Sequence, residues 1–448
     1  MNIQSAGPAL LRSHRSMAGF LFVSLFILYL SSPVIPLSDT KYSIFTSISL
    51  LRHGDINLDE YADLLQLYQR HAIVDINGHS YDYFPAGTSI LAAPIVYILS
   101  RFYGYGYIES HSAQFEIVIA GIFMSLATVN LFYILTRRIP LTDSLIFAFL
   151  IGAGTSFLST GSRALWQQSA SVLLFSLFLN LLDITDTRRK RWPYLIALGV
   201  IAVMGFEARP MAVLWILPFS LIFLLRKARA ADLPFLMIGA AIPALVLGWL
   251  HLSSYDSLFA PYVDAGRVFH FATLTEAFAV NTISPQRGFF VWSPFFAIAF
   301  YSFVRILNER SIFSELTASW ITVLAHLLIL STFPHYWGGH SIGPRLMTET
   351  IPAFCILSIP GIQYLRENNR PWKTGLFALL SVMSIVIHIR SAHLSQVNEW
   401  NRYPMDVDAH PERLWDWTDM QFLRAEHGFR TLFRLPVDPA VQRAYEKK

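Results

Sequence analysis

Apolar windows of nearly twenty residues recur from one end of this 448-residue chain to the other. A helix of that length crosses about 30 Å of hydrocarbon. Charged residues make up 14% of the chain against 54% hydrophobic, whereas soluble domains carry about 25% charged. The fold class that follows is an all-α polytopic membrane protein. About eleven spans are expected, at roughly 17–36, 114–136, 142–160, 165–184, 193–208, 210–225, 233–252, 289–306, 316–333, 348–365 and 374–392. Met17–Ile35 lacks a small-residue cleavage site and reads as a retained anchor. A net charge of +4 gives no electrostatic footprint for nucleic acid. With Cys355 as the only cysteine no internal disulfide can form, so packing and the bilayer must hold the outer loops.

One more segment, Gly87–Phe102 ("GTSILAAPIVYILSRF"), is apolar but short and contains a proline. Whether it crosses sets the orientation of all that follows. If it stays on one face and the N-terminus is cytoplasmic, sixteen Lys and Arg fall in short cytoplasmic segments. Among them are Arg137, Arg138, the RRKR of 188–191, Arg226, Lys227 and Arg305. Nine fall in the longer outer loops before the tail. If it crosses, the later basic clusters move outside, against the positive-inside rule. Residues 87–102 are therefore expected as a juxtamembrane helix on the outer face, with the N-terminus in and the C-terminus out. Residues 1–392 would form the bundle, including the long outer loop 37–113. Residues 393–448 would form an extracytoplasmic tail.

The outer segments hold the residues with chemical potential. Ser38–Arg52 has Tyr42, Phe45, Ile48 and Leu51 at near-helical spacing, with Ser38 placed to cap and Asp39 in the first turn. The helix dipole alone would account for Asp39; alternatively, a carboxylate held ionised at the membrane surface can accept a proton or bind a divalent ion. In "INGHSYDYFPAGTSILAAP", Asn77-Gly78 signals a turn, and His79, Asp82 and Tyr83 fall near headgroup level. The tyrosines there are equally explained as interface anchors. Arg163 ("STGSRALWQQSA"), Arg287 ("SPQRGFFVWSP") and Arg345 ("FPHYWGGHSIGPRL") stand at outer span ends, where charge near hydrocarbon is costly. Each could hold an anionic headgroup or simply snorkel. Glu207 and Arg209 in "FEARP" read as a local salt bridge. Glycines at 338, 339 and 343 would force a compact loop around His335, Tyr336, Trp337, His340 and Arg345. Aromatic faces there suit sugar rings and an Arg fork suits phosphate.

The order of these stretches is an Asp after the first span, "HGDINLDEY", "YFPAGTSILAAP", "RALWQQ", "SPQRGFFVWSP" and "WGGHSIGPR". It resembles the bacterial GT-C superfamily of integral-membrane glycosyltransferases, the polyprenyl-phosphate-sugar-dependent class that includes protein mannosyltransferases and lipid A aminoarabinose transferases. The resemblance covers most of the chain through loose motifs. It implies an enzyme of the bacterial cytoplasmic membrane, with a first outer loop of juxtamembrane helices. Its donor would be a polyprenyl-phosphate sugar, and its acceptor a lipid, glycan or protein. It implies Asp39 as catalytic base or metal ligand, and Arg163, Arg287 and Arg345 as donor-phosphate ligands. The chain shows "SDT" where many members have paired acidic residues, and Asp82 near where the aminoarabinose transferases place a lysine. No cofactor is fixed on this reading, and whether a divalent metal at Asp39 is needed stays open.

Two functions are therefore expected to compete. The first is inverting sugar transfer onto an acceptor hydroxyl at the outer face, with Asp82, Tyr83, His335, Trp337 and His340 contacting sugar or acceptor. The second is a transporter or flippase for a lipid-linked or anionic solute, without catalysis. Transporters show ionisable or broken helices at midplane and paired repeats, and neither feature is evident here.

Overall fold

The computed structural model describes residues 8–34, 40–67, 72–264, 269–309, 314–368 and 370–424. In chain order its helices include α1 (Pro8–Leu30), α2 (Ser43–Arg52), α3 (Gly87–Tyr103), α4 (Ser112–Thr136), α5 (Leu141–Ala153), α6 (Gln167–Thr187) and α7 (Trp192–Ala208). There follow α8 (Val213–Arg226), α9 (Leu233–Tyr255), α10 (Tyr301–Glu309), α11 (Glu315–Leu330), α12 (Ile351–Asn368) and α13 (Pro371–His393). Six of these, α1, α4, α6, α9, α12 and α13, are long and apolar enough to cross a membrane. Shorter apolar helices, α5, α7, α8, α10 and α11, occupy the other apolar windows. Their brevity has local causes. Pro210 and Pro294 lack the N–H that a continuing helix needs, and each sits in a 3₁₀ segment that leads into α8 or α10. After α5 the backbone widens into a π-helical turn at Phe157–Gly161.

Helices pack along their lengths, α6 antiparallel on α7, whereas α4 and α6 run parallel, as do α7 and α9. The α7–α9 crossing is a close one. A Cβ at Gly199 or Gly239 would overlap the backbone of the other helix, the small-residue contact that membrane helices use for close approach. Outward faces stay apolar, with Leu245 and Trp249 on α9 about 70% exposed (73% and 69%). Cys355 on α12 is fully buried.

Two ends of the bundle can be told apart by their hydrogen bonds. At one end Arg163 donates to the carbonyls of Tyr29 and, at 3.3 Å, Ser32, just where α1 stops. Two residues on, the Leu165 N–H donates to Glu116 in the first turns of α4 at 3.1 Å. The chain therefore leaves α1 and enters α4 at the same end, with α2 and α3 lying between. At the opposite end Arg138 bridges Asp183, at the end of α6, and Glu315, which opens α11.

The long first loop departs from an all-helical expectation. Ile73–Ile76 and His79–Asp82 pair antiparallel as β1 and β2, joined by Asn77 (φ 53°) and Gly78 (φ 86°), a two-residue turn that needs positive φ at both positions. Its outer contacts include Asn77 Nδ2 donating to Asp256 at 2.6 Å and Tyr81 edge-on to Tyr255. Helix α2 begins at Ser43, with Tyr42 rather than Ser38 at its N-cap. Ser38 and Asp39 lie outside the described residues. The tail, expected as an extracytoplasmic segment, is packed down to Arg424. Trp400, Val407 and Leu414 are buried against Ala277, Val280, Tyr336 and Trp337. Residues 425–448 lie outside the described residues.

Candidate functional site

At the end where α1 leaves the bundle lies a cavity of about 570 Å³. Its wall is assembled from segments far apart in sequence. Thr40 and Lys41 enter before α2, Phe84 and Thr88 at the start of α3, and Trp166, Gln167 and Gln168 at the start of α6. Arg209 comes from the end of α7, His335, His340 and Arg345 from the loop before α12, and Arg402 and Asp408 from the tail. Four cations thus face one lining carboxylate. Such a surplus in a partly enclosed site favours an anionic ligand.

Arg345 lies over the Trp166 ring at 4.4 Å, within cation–π range. Trp166 is 5% exposed and its indole N–H finds no partner among the described residues; the same holds for Gln167 Nε2 and Thr88 Oγ1. An unpaired buried polar atom costs about 1–3 kcal/mol, so acceptors supplied by a ligand would be satisfied here. Arg209 Nε stands 2.8 Å from Glu349 Oε2, both nearly buried. Glu207 instead pairs with His251 at 3.1 Å. The expected Glu207–Arg209 bridge is thereby corrected: adjacent chain positions at a helix end point in different directions, and each finds a partner on another helix.

Three of the expected residues line this cavity together: His335, His340 and Arg345. Arg287 does not. It is 1% exposed and spends all five N–H groups, on the carbonyls of Gln286, Trp337 and Gly339 and on the side-chain oxygens of Asn401 and Gln421. No donor is left for a phosphate, so Arg287 is a tie between loops and tail. Arg163 is likewise fully buried, with its guanidinium turned to the C-terminal carbonyls of α1. Both are corrected as donor-phosphate ligands. Asp82 is buried and accepts from the Phe84 N–H at 3.1 Å, shaping the turn into α3. Tyr83 packs edge-on against Phe84 and against Tyr262, one layer behind the wall. Trp337 is also behind it, its indole donating to Asp408 at 2.7 Å. Asp39 lies outside the described residues, but its chain neighbour Thr40 is part of the wall.

His340, Asp406 and Asp408 can each offer a ligand atom within 4.8 Å of the others. They already bond one another, His340 Nε2 to Asp406 at 2.9 Å. Burial acts to raise the Asp406 carboxyl, but the His340 hydrogen bond, the Asp408 N–H and the charges of His340 and Arg402 outweigh it and hold it below the ordinary carboxylate range.

Glu116 and Glu349 were not singled out by sequence, yet both are buried beside the cavity, 5% and 2% exposed. Their signal was present: each is a carboxylate within a turn or so of an apolar span. Glu116 takes the Leu165 N–H and a hydrogen bond from Thr40, joining α4 to two pieces of the wall. Lys41 and Arg402 carry no motif that marks them, and Gln167 lies in the "RALWQQ" stretch without having been singled out. No protein-family model and no curated protein sequence matches this chain.

Proposed function

We propose that this protein is an inverting glycosyltransferase of the GT-C type, with eleven spans, working at the outer face of the bacterial cytoplasmic membrane. It would take a sugar from a polyprenyl-phosphate donor and pass it to a hydroxyl on a lipid, glycan or protein. The observation that carries this reading is the cation-rich, aromatic-walled cavity at the end of the bundle where the first long loop gathers. A lipid-linked donor keeps its phosphate and anomeric carbon at that depth. Arg345, with Lys41, Arg209 and Arg402 around it, would offset the charge on the departing phosphate, as preorganised cations do for developing charge. Asp39 is one residue from the cavity wall at Thr40. As base it would take the proton of the acceptor hydroxyl while that oxygen attacks the anomeric carbon and the bond to the phosphate oxygen breaks. His340, Asp406 and Asp408 are the described groups with the donor chemistry for a divalent metal.

The test is turnover of a polyprenyl-phosphate sugar by the purified protein, with two variants beside wild type. Asp39→Asn should lower kcat about a hundredfold or more while donor binding persists. Arg345→Ala should weaken donor binding and lower kcat/KM by about tenfold to a hundredfold. Full turnover by Asp39→Asn would overturn the assignment. Net movement of unaltered donor across vesicles, with no sugar transferred, would establish transport instead.

A further inference from the structure

A second cavity, of about 330 Å³, lies at the end of the bundle away from the first. Its polar lining holds Arg138, Arg226, Lys227 and Arg305 against a single carboxylate, Glu315. Arg138 and Lys227 belong to a fixed lattice, and Arg226 and Arg305 have interactions of their own. Arg138 bonds Asp183 at 2.7 Å and Glu315 at 2.6 Å, and Lys227 Nζ reaches Asp186 at 2.6 Å and Glu315 at 3.2 Å. Arg137 also pairs with Asp183, at 3.2 Å. Besides Ser314 and Gln363 the remaining wall is apolar, including Ile222, Leu316, Ile356 and Ile359. The helices that frame the mouth turn apolar side chains outward. Leu221 and Leu225 of α8 are 55% and 59% exposed, and Leu307 of α10 is 75% exposed. A cationic recess at a helix end that continues into lipid-facing leucines matches one ligand chemistry, a phosphate ester carrying acyl chains.

We propose that this cavity binds the headgroup of an anionic phospholipid. The phosphate would sit among Arg226, Arg305 and the Arg138–Glu315–Lys227 lattice, and the acyl chains would run along Leu221, Leu225 and Leu307. The site is separate from the sugar-transfer cavity and does not depend on that assignment. Free inorganic phosphate shares the charge but not the chains, which is what separates the two sources.

The test follows thermal unfolding of the full chain in neutral detergent, with phosphatidylglycerol, phosphatidylcholine or inorganic phosphate added. The expected result is a saturable rise in Tm with phosphatidylglycerol and none with phosphatidylcholine. Arg226→Gln/Arg305→Gln should raise the half-saturating phosphatidylglycerol concentration roughly thirtyfold, the effect of two lost cation contacts. Should the double variant fold poorly, Arg305→Gln alone, with native mass spectrometry counting retained phosphatidylglycerol, reads the same site. Equal stabilisation by both lipids, an unchanged half-saturation in the variants, or full reproduction of the effect by inorganic phosphate would overturn the proposal.

Discussion

At the scale of single residues, the same side chain does different work according to whether its hydrogen bonds are already spent. Arg287 and Arg345 look alike in sequence, each at an outer span end beside glycine and aromatics. Arg287 has five acceptors and 1% exposure; Arg345 lies on the cavity wall over an indole. Arg287→Ala would strand five acceptors in the interior, at a cost of about 3 kcal/mol or more. It should show as a lowered Tm and early proteolysis within 394–424, with Arg287→Lys intermediate. The Asp406–His340 pair gives a pH dependence. The folded carboxyl sits below its unfolded value near 3.9, so its contribution is present above that value and is lost as pH falls through the lower folded one. Tryptophan emission from the Trp337–Trp400 cluster should therefore hold steady from pH 6 to about pH 4 and change only below it. His340→Ala, which removes the hydrogen bond, should move that change to higher pH. Sequence reading reached His335, His340 and Arg345 through their glycine-bound loop. It misassigned Arg163 and Arg287 because a basic residue near hydrocarbon advertises a need for acceptors without saying whether carbonyls or a phosphate will supply them.

Among elements, hydropathy and punctuation were the legible signals. Six of the apolar windows hold helices long and apolar enough to cross a membrane and the other five hold shorter apolar helices, and the Asn-Gly pair marks a turn that the structure builds into a hairpin. The strands beside it were not legible because four-residue runs such as "IVDI" and "HSYD" are too short for a period to show. The start of α2 lies at Ser43, behind a turn at 40–42, and not at the serine whose capping chemistry marked it. Helix contacts were invisible in one dimension, as the α7–α9 crossing shows. Gly239→Val should force α7 and α9 apart and cost about 2 kcal/mol or more, whereas Gly375→Val, at a position with open space around it, should leave Tm unchanged. Comparing the two melting curves in one detergent checks this.

For the whole molecule, the larger cavity is a product of topology. Its walls come from residues 40 through 408, and no stretch of the chain contains more than a fragment of it. Orientation has a direct check, because Cys355 is fully buried and leaves a quiet background for added thiols. Ser80→Cys should react with a membrane-impermeant maleimide in intact cells. Arg189→Cys should react only after the membrane is opened. The reverse pattern would place the large cavity in the cytosol and end the proposed activity. The knot of Arg287, Asn401 and Gln421 carries a further consequence, for biosynthesis. Residues 401–421 leave the ribosome after every helix of the bundle, so the rim closes last. A chain clipped before Trp400 would hold a complete set of helices whose guanidinium at 287 has lost two of its acceptors.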